Sequence, residues 1–136
     1  MQTTTKMRLK FKTFPKLLNR LCSTSVSRVI TKSDIEKYGE LTGDKNPIHF
    51  NGDQSIVHGT FLLGLVSSVM GTKCPGPGTK VLELTSKFAK PCTIDTEVTV
   101  EVKLLEKRKI TTAQYKVINV KNQDILVHGT AKLMLH

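Results

Sequence analysis

Hydrophobic and polar positions alternate along the C-terminal half of the chain. In the stretch TEVTVEVKLLEK, residues 96–107, valine occupies every second position from 98 to 102. Such alternation is typical of a β-strand, because successive side chains point to opposite faces of a sheet. Similar β-branched stretches occupy residues 79–90, 110–120 and 124–136. Four strands with short links between them predict an antiparallel meander.

A strongly apolar segment over residues 55–70 precedes these strands. It is apolar on nearly every face, which predicts a helix buried in the middle of the fold. Gly71 and the PGPG run at residues 75–78 predict its end. A curved antiparallel sheet folded around this helix would cover its apolar surface, so the predicted fold class is α+β.

A shorter helix is predicted over residues 33–41. Ser33 is followed three residues later by Glu36, which is the spacing of a capping box. Gly43, which lacks a Cβ, allows the chain to turn sharply after this helix. The loop that follows is dense in Gly, Asn, Asp and Pro, the residues that favour turns.

The positive charge of the chain is concentrated at its N-terminus. The formal net charge is +10, from 21 basic and 11 acidic residues. Residues 31–136 hold 14 basic against 11 acidic residues, whereas residues 1–30 hold seven basic residues and no acid. A basic, acid-free segment rich in Ser and Thr is typical of a mitochondrial transit peptide. We therefore predict a transit peptide over residues 1–24, one domain over residues 25–136, and a location in the mitochondrial matrix.

The same basic segment could instead be an arm that binds RNA. The chain has five Phe, two Tyr and no Trp, and they are not interleaved with the arm as base-stacking platforms would be. We therefore expect no nucleic-acid partner. No run approaches the roughly 18 apolar residues of a membrane-spanning helix, so no membrane span is expected.

The three cysteines, Cys22, Cys74 and Cys92, show no paired spacing. Cys22 falls within the predicted transit peptide, so we expect no disulfide framework, consistent with a reducing compartment. Cys74 and Cys92 are expected to be small core or loop residues. The four histidines lack the compact spacing of zinc ligands, so no metal site is predicted.

An acid and an imidazole, Asp44 and His49, lie five residues apart in the loop after the short helix. If a turn brings them together, they could hold a water and move protons near neutral pH. The structural alternative is that Asp44 and Asn46 only cap the turn and His49 packs behind it. Further along, Gly59 lies near the start of the apolar helix, where a free backbone amide can stabilise a developing oxyanion. Ser67 lies two helical turns beyond.

These motifs carry a family resemblance. The run from Thr42 to His49 (TGDKNPIH), followed by Val57-His58-Gly59 and the PGPG run, resembles the MaoC-like or hydratase-2 family. Members of that family are (R)-specific enoyl-thioester hydratases and dehydratases with a hot-dog fold. The resemblance extends from about residue 29 to the C-terminus. It implies a long central apolar helix wrapped by a curved antiparallel sheet, a homodimer, and no cofactor.

The resemblance also implies roles for individual residues. Asp44 and His49 would hold the water that adds to or leaves C3 and would move the proton at C2. Asn46 would shape the catalytic turn, and Gly59 would donate its amide to the thioester carbonyl. Ser67 would orient the catalytic loop.

One departure from the family pattern is the length of the link between His49 and His58. Only residues 50–57 separate them, whereas most relatives carry a longer stretch that helps to wall the acyl pocket. Either the pocket is more open, or His49 is displaced from Gly59. Asp53, within this link, is not expected to be catalytic, and His58 is expected to have a structural role.

The function implied by the resemblance is removal of water from a (3R)-hydroxyacyl thioester to give the trans-2-enoyl thioester. With its basic N-terminus the chain resembles the mitochondrial dehydratases of this family, and this resemblance implies a role in type II fatty acid synthesis. The carrier would be acyl carrier protein or CoA, and because both are anionic, charge does not distinguish them. The alternatives are a catalytically weak or inactive hot-dog subunit and a basic RNA-binding protein.

Overall fold

The computed structural model describes residues 22–136, which form five strands and two α-helices. Two short 3-10 helices, Pro47–His49 and Gly52–Gln54, lie between the α-helices. In chain order the elements are β1 (Ser23–Ile30), α1 (Lys32–Thr42), α2 (Gly59–Thr72), β2 (Lys80–Phe88), β3 (Thr96–Leu104), β4 (Ile110–Asn119) and β5 (Ile125–Met134). No helix in this range is long and apolar enough to cross a membrane.

The strands form one antiparallel sheet in the order β1-β3-β4-β5-β2. Strands β3, β4 and β5 form the predicted meander. The expectation of a four-strand meander is wrong for β2, which pairs with β5 at one edge of the sheet. The other edge is β1, which the sequence did not predict because its residues, STSVSRVI, are largely polar and exposed.

Helix α2 lies at the centre of the fold. It buries Leu62, Val66, Val69 and Met70, and it packs against β2, β3 and β4. Valines 98, 100 and 102, whose alternation predicted β3, are buried on the face towards this core. The predicted α+β arrangement, a central apolar helix wrapped by a curved antiparallel sheet, is confirmed.

The bounds of α2 differ from the prediction of residues 55–70. The segment before Gly59 is extended, since Ile56 forms a β-bridge with Thr93 and the Val57 amide donates to the Cys92 carbonyl. The helix also continues through Gly71 to Thr72. The apolar pattern therefore spans a buried extended segment and a helix, which periodicity alone does not separate.

Helix α1 begins at a different cap from the predicted one. Its N-cap is Thr31 rather than Ser33, and the capping box joins Thr31 to Asp34 instead of Glu36. The Asp34 amide donates to the Thr31 hydroxyl at 3.2 Å, while the Asp34 carboxylate accepts from the Thr31 amide at 2.9 Å. Gly43 ends the helix in a left-handed conformation with φ of 77°, as expected for a glycine at this position.

The cysteine prediction is corrected at two positions. Cys22 and Cys74 form a disulfide with a Cα–Cα distance of 5.7 Å, so the expected absence of a disulfide is wrong. Cysteine usage therefore gives no support for a reducing compartment. Cys92 is buried and free, as expected of a small core residue.

The predicted domain boundary at residue 24 falls inside β1, and residues 1–21 of the predicted transit peptide lie outside the described residues.

Candidate active site

Asp44 lies directly after the turn that ends α1, and its two carboxylate oxygens face different partners. Oδ1 accepts a hydrogen bond from the Asn46 amide at 3.1 Å. The side chain of Asn46 in turn accepts from the Ile48 amide at 3.3 Å and caps the first 3-10 helix. Asp44 and Asn46 thus cap the turn, as the structural alternative proposes, but Oδ2 of Asp44 remains directed at two imidazole rings.

The first of these rings belongs to His49, which is buried. Its Nδ1 lies 2.6 Å from the Ile56 carbonyl oxygen, and since a carbonyl only accepts, Nδ1 carries the proton. In the neutral ring, Nε2 then has a free lone pair. This Nε2 lies 3.8 Å from Asp44 Oδ2, a separation that one bridging oxygen can span with hydrogen bonds to both.

The short link after His49 is folded back into a compact loop. The Ile56 amide donates to the Ile48 carbonyl at 3.0 Å, which closes the loop beside the imidazole. Within the link, the Ser55 hydroxyl accepts from the Asn51 amide and donates to the Gly52 carbonyl. These bonds keep His49 next to the start of α2, so the short link does not displace it.

Phe50 packs the link against α1 beside Gly39. A Cβ on Gly39 would lie 2.7 Å from the ring of Phe50. Asp53, which was not expected to be catalytic, is exposed in the second 3-10 helix and does not line the cavity at the active-site turn. The link therefore contributes packing, and its one carboxylate stays in solvent.

The second ring belongs to His58, for which the sequence predicted a structural role. Its side chain is only 1% exposed and stacks on His49, with ring centroids 3.7 Å apart and planes inclined by 22°. Its Nε2 lies 3.9 Å from Asp44 Oδ2, and Tyr38 of α1 meets the ring edge-on at 4.8 Å. Burial lowers the pKa of His58, and the neighbouring His49 lowers it further, while the backbone and carboxylate of Asp44 oppose the shift.

Gly59 begins α2 next to these side chains. The N-cap residue His58 makes no side-chain hydrogen bond to the first turn, so it does not occupy the first amide groups of the helix. A Cβ on Gly59 would lie 2.5 Å from the ring of Phe88, so only glycine allows this aromatic ring to lie so close. The hydroxyls of Tyr38 and Thr60 share a hydrogen bond of 2.7 Å that joins α1 to the same turn.

These groups line one cavity of about 490 Å³. Its polar groups come from Asp44, His49, His58, Thr60 and Lys90, and Gly59 lies beside the two histidines. Much of the remaining wall is apolar, formed among others by Ile48, Ile56, Leu62, Phe88 and Val127. A larger depression of about 720 Å³ lies on the sheet, lined by residues such as Glu101, Lys116 and His128, but it contains none of the predicted site residues.

Ser67 is one of two predicted site residues that do not line this cavity. It is exposed on α2 and is absent from the cavity wall, as is Asn46, which acts through the turn. The neighbouring Ser68 donates to the Leu65 carbonyl of its own helix. In the described chain, Asp44, His49 and Gly59 are therefore the predicted site residues that meet, and His58, which was expected to have a structural role, lies beside them.

Asp44, His49 and His58 are also a candidate for holding a metal ion, since their ligand atoms lie within 4.8 Å of one another. The two rings are stacked and nearly parallel. At this spacing the two rings cannot both point a nitrogen lone pair at a zinc ion about 2.0 Å away, whereas a hydrogen-bonded oxygen about 2.8 Å away tolerates the misalignment. The geometry fits a water or a hydroxyl group better than a metal ion.

Comparison with known proteins identifies the family of the chain. A family described as "MaoC like domain" matches residues 14–125 of the chain. A 3-hydroxybutyryl-CoA dehydratase of Methylorubrum extorquens is 36% identical over 89 residues, which cover 60% of this chain and 57% of that protein. An (R)-specific enoyl-CoA hydratase of Rhodospirillum rubrum is 36% identical over 88 residues, which cover 59% of this chain and 61% of that protein. The chain thus spans less than two thirds of the length of these relatives.

Solved structures show the same fold over a larger share of the chain. The (R)-hydratase of Aeromonas caviae involved in PHA biosynthesis has a TM-score of 0.78 at 25% identity, covering 85% of this chain and 95% of that chain. The unliganded R-hydratase PhaJ1 of Pseudomonas aeruginosa has a TM-score of 0.77 at 27% identity, covering 84% and 79%. The family match over residues 14–125 covers most of the chain and the solved structures share its fold, so the chain belongs to the MaoC-like domain family.

Proposed function

We propose that the chain is an (R)-specific enoyl-thioester hydratase, which also catalyses the reverse dehydration of (3R)-hydroxyacyl thioesters. The observation that carries the proposal is the 3.8 Å separation between Asp44 Oδ2 and His49 Nε2 in the cavity that Gly59 also lines. The activities named for the relatives in M. extorquens and R. rubrum support the same chemistry.

In the proposed hydration, a water lies between Asp44 Oδ2 and His49 Nε2. Its oxygen forms a bond to C3 of the enoyl thioester, and one of its protons passes to the Asp44–His49 pair. The electrons of the C2–C3 double bond shift towards the thioester carbonyl, and the pair then delivers a proton to C2. Dehydration follows the same steps in reverse, so atoms and charge balance without any further reagent.

The Gly59 amide stabilises the negative charge that develops on the thioester oxygen. A backbone N–H at the first turn of a helix is a suitable donor, because it lacks an intrahelical partner and lies at the positive end of the helix dipole. A fixed donor of this kind contributes about 10²- to 10³-fold to the rate of comparable reactions. The apolar wall of the cavity would receive the acyl chain.

Hydration of crotonyl-CoA by the chain that begins at Cys22 tests the proposal. We expect turnover that yields the (3R)-hydroxy product, and a decrease in kcat of about 10²- to 10⁴-fold for Asp44→Asn and for His49→Ala. The matched controls are Asp53→Asn and His128→Ala, because both residues are exposed and lie outside this cavity. These two variants should keep the parent activity.

Two results would contradict the proposal in different ways. Absence of turnover in the folded parent chain would favour the inactive hot-dog subunit. Turnover that survives both Asp44→Asn and His49→Ala would show that the reaction, although present, does not use this turn.

We also propose that the substrate is presented in the mitochondrial matrix, on acyl carrier protein or CoA. The basic N-terminal segment supports this location, and the truncation that tests it should begin at Cys22, because cutting after residue 24 removes the disulfide and part of β1. Deletion of residues 1–21 should abolish mitochondrial import in cells and leave turnover in vitro unchanged. Loss of RNA binding on deletion, with unchanged localisation, would instead support the RNA-binding alternative.

We further propose a homodimer that forms along β2. This edge strand exposes Val81, Leu82 and Phe88 at 39%, 48% and 53% of their surfaces, and an exposed apolar edge readily pairs with another strand. Leu82→Lys should convert the dimer to a monomer in sedimentation measurements. Val29→Lys is the control, since Val29 is equally exposed but lies on the opposite edge strand, β1. A monomeric parent, or dissociation caused by the control alone, would contradict this interface.

A further inference from the structure

His58 is the buried polar group that the proposed reaction leaves unused. Its side chain is 1% exposed, and neither ring nitrogen has a hydrogen bond of good geometry within the described protein, although the Asp44 backbone lies close enough to favour the protonated ring. Burying an imidazole without partners costs free energy, which an apolar side chain of similar size would avoid. His58 also does not cap α2, although it occupies the N-cap position. Capping of α2 therefore does not explain a histidine at this position.

The ring is aimed at the reacting position. His58 Nε2 lies 3.9 Å from Asp44 Oδ2, which itself lies 3.8 Å from His49 Nε2. The ligand atoms of the three residues all fall within 4.8 Å of one another. An oxygen on one side of this triangle can therefore lie at a hydrogen-bond distance of about 2.8 Å from all three.

The neighbours of the His58 ring limit the hydrogen bonds that it can donate. Tyr38 faces it from α1 with its hydroxyl bonded to Thr60, while Phe50 lies edge-on at 6.0 Å. His49 covers one ring face, and Asp44 supplies the only carboxylate among these neighbours. A neutral imidazole in this setting has one N–H to donate, and the reacting oxygen is the partner within reach of Nε2.

We propose that His58 is a third catalytic group, whose Nε2–H donates a hydrogen bond to the oxygen that adds to or leaves C3; this inference rests on the proposed hydratase function. The water directs its two hydrogens to Asp44 Oδ2 and His49 Nε2 and accepts from His58. Its remaining lone pair forms the bond to C3. His58 keeps its proton throughout, so the proton balance of the Asp44–His49 pair is unchanged.

The test compares His58→Leu with His58→Gln in crotonyl-CoA hydration. His58→Leu removes the donor and two unpaired nitrogens, so we expect thermal stability equal to or above that of the parent and a kcat lower by about 10²-fold, with KM little changed. His58→Gln places an amide N–H near the position of Nε2 and should recover part of the lost kcat. A residue with only a structural role would not show rescue by glutamine at constant stability.

Two results would overturn the inference. One is an active parent whose kcat is unaffected by His58→Leu, provided that this variant keeps the thermal stability of the parent. The other is an NMR spectrum of ¹⁵N-histidine-labelled parent in which the proton of His58 is on Nδ1. A parent without any turnover would instead overturn the proposed function itself, so the two failures are distinguishable.

Discussion

Asp44 connects the fold of its loop to the chemistry of the cavity through its two carboxylate oxygens. Oδ1 holds the Asn46 amide and therefore fixes the turn, whereas Oδ2 faces His49 and His58 at 3.8 and 3.9 Å. The five-residue spacing between Asp44 and His49 predicted that the two side chains could converge. The role proposed for His58 could not be predicted in the same way, because it depends on ring stacking and burial that only the packed α1 and α2 create.

The buried His58 also predicts how stability depends on pH. Burial lowers its pKa in the folded protein from the ordinary value of 6.5, so below that pH the unfolded chain binds a proton that the folded chain resists. The free energy of unfolding should therefore show no dependence on His58 above about pH 6.5 and should decrease as the pH falls below that value.

Urea unfolding at a series of pH values between about 7.5 and 5 measures this dependence. His58→Leu should reduce the decrease in the free energy of unfolding, whereas the exposed His128→Leu should retain it. Parallel curves for the parent and His58→Leu would show that protonation of His58 does not set this dependence.

At the scale of secondary-structure elements, local sequence patterns located individual elements, but they did not predict which distant strands pair. The alternation of valines located β3, and the glycine after α1 located its end, because both signals lie within the element itself. The pairing of β2 with β5 and the presence of β1 depend on contacts between distant parts of the chain. A polar strand such as β1 carries little hydrophobic pattern, so its sequence alone does not reveal it.

The start of α1 gives a direct test of the observed cap against the predicted one. Thr31→Ala removes the hydroxyl that accepts from the Asp34 amide, so the free energy of unfolding should fall by about 1 kcal/mol. Ser33→Ala, two residues further on, is the matched control and should have a much smaller effect. Chemical denaturation measures both, and a larger loss for Ser33→Ala would mean that the helix begins at the position predicted from sequence.

At the scale of the whole molecule, the Cys22–Cys74 disulfide joins the beginning of β1 to the residues after α2. The two cysteines are 52 residues apart, and Asp44, His49 and Gly59 all lie between them. The cross-link therefore encloses the candidate active site. Sequence reasoning missed it because Cys22 was assigned to a segment expected to be removed.

Loss of this cross-link should destabilise the protein without removing a catalytic group. The loop length predicts that Cys22→Ser combined with Cys74→Ser lowers the free energy of unfolding by about 4 kcal/mol. Adding a reductant to the parent should give a similar loss, and adding it to the double variant should change nothing further. Equal stability of the parent with and without reductant would contradict a stabilising disulfide.

The central claim is that Asp44 and His49 act together on one water in the active-site cavity. The most direct test is kcat/KM for crotonyl-CoA hydration in Asp44→Asn, His49→Ala and the variant that combines them. If the two residues act as a unit, the combined variant should be no slower than the slower single variant. If the two losses multiply, the residues act independently, and the shared water is contradicted.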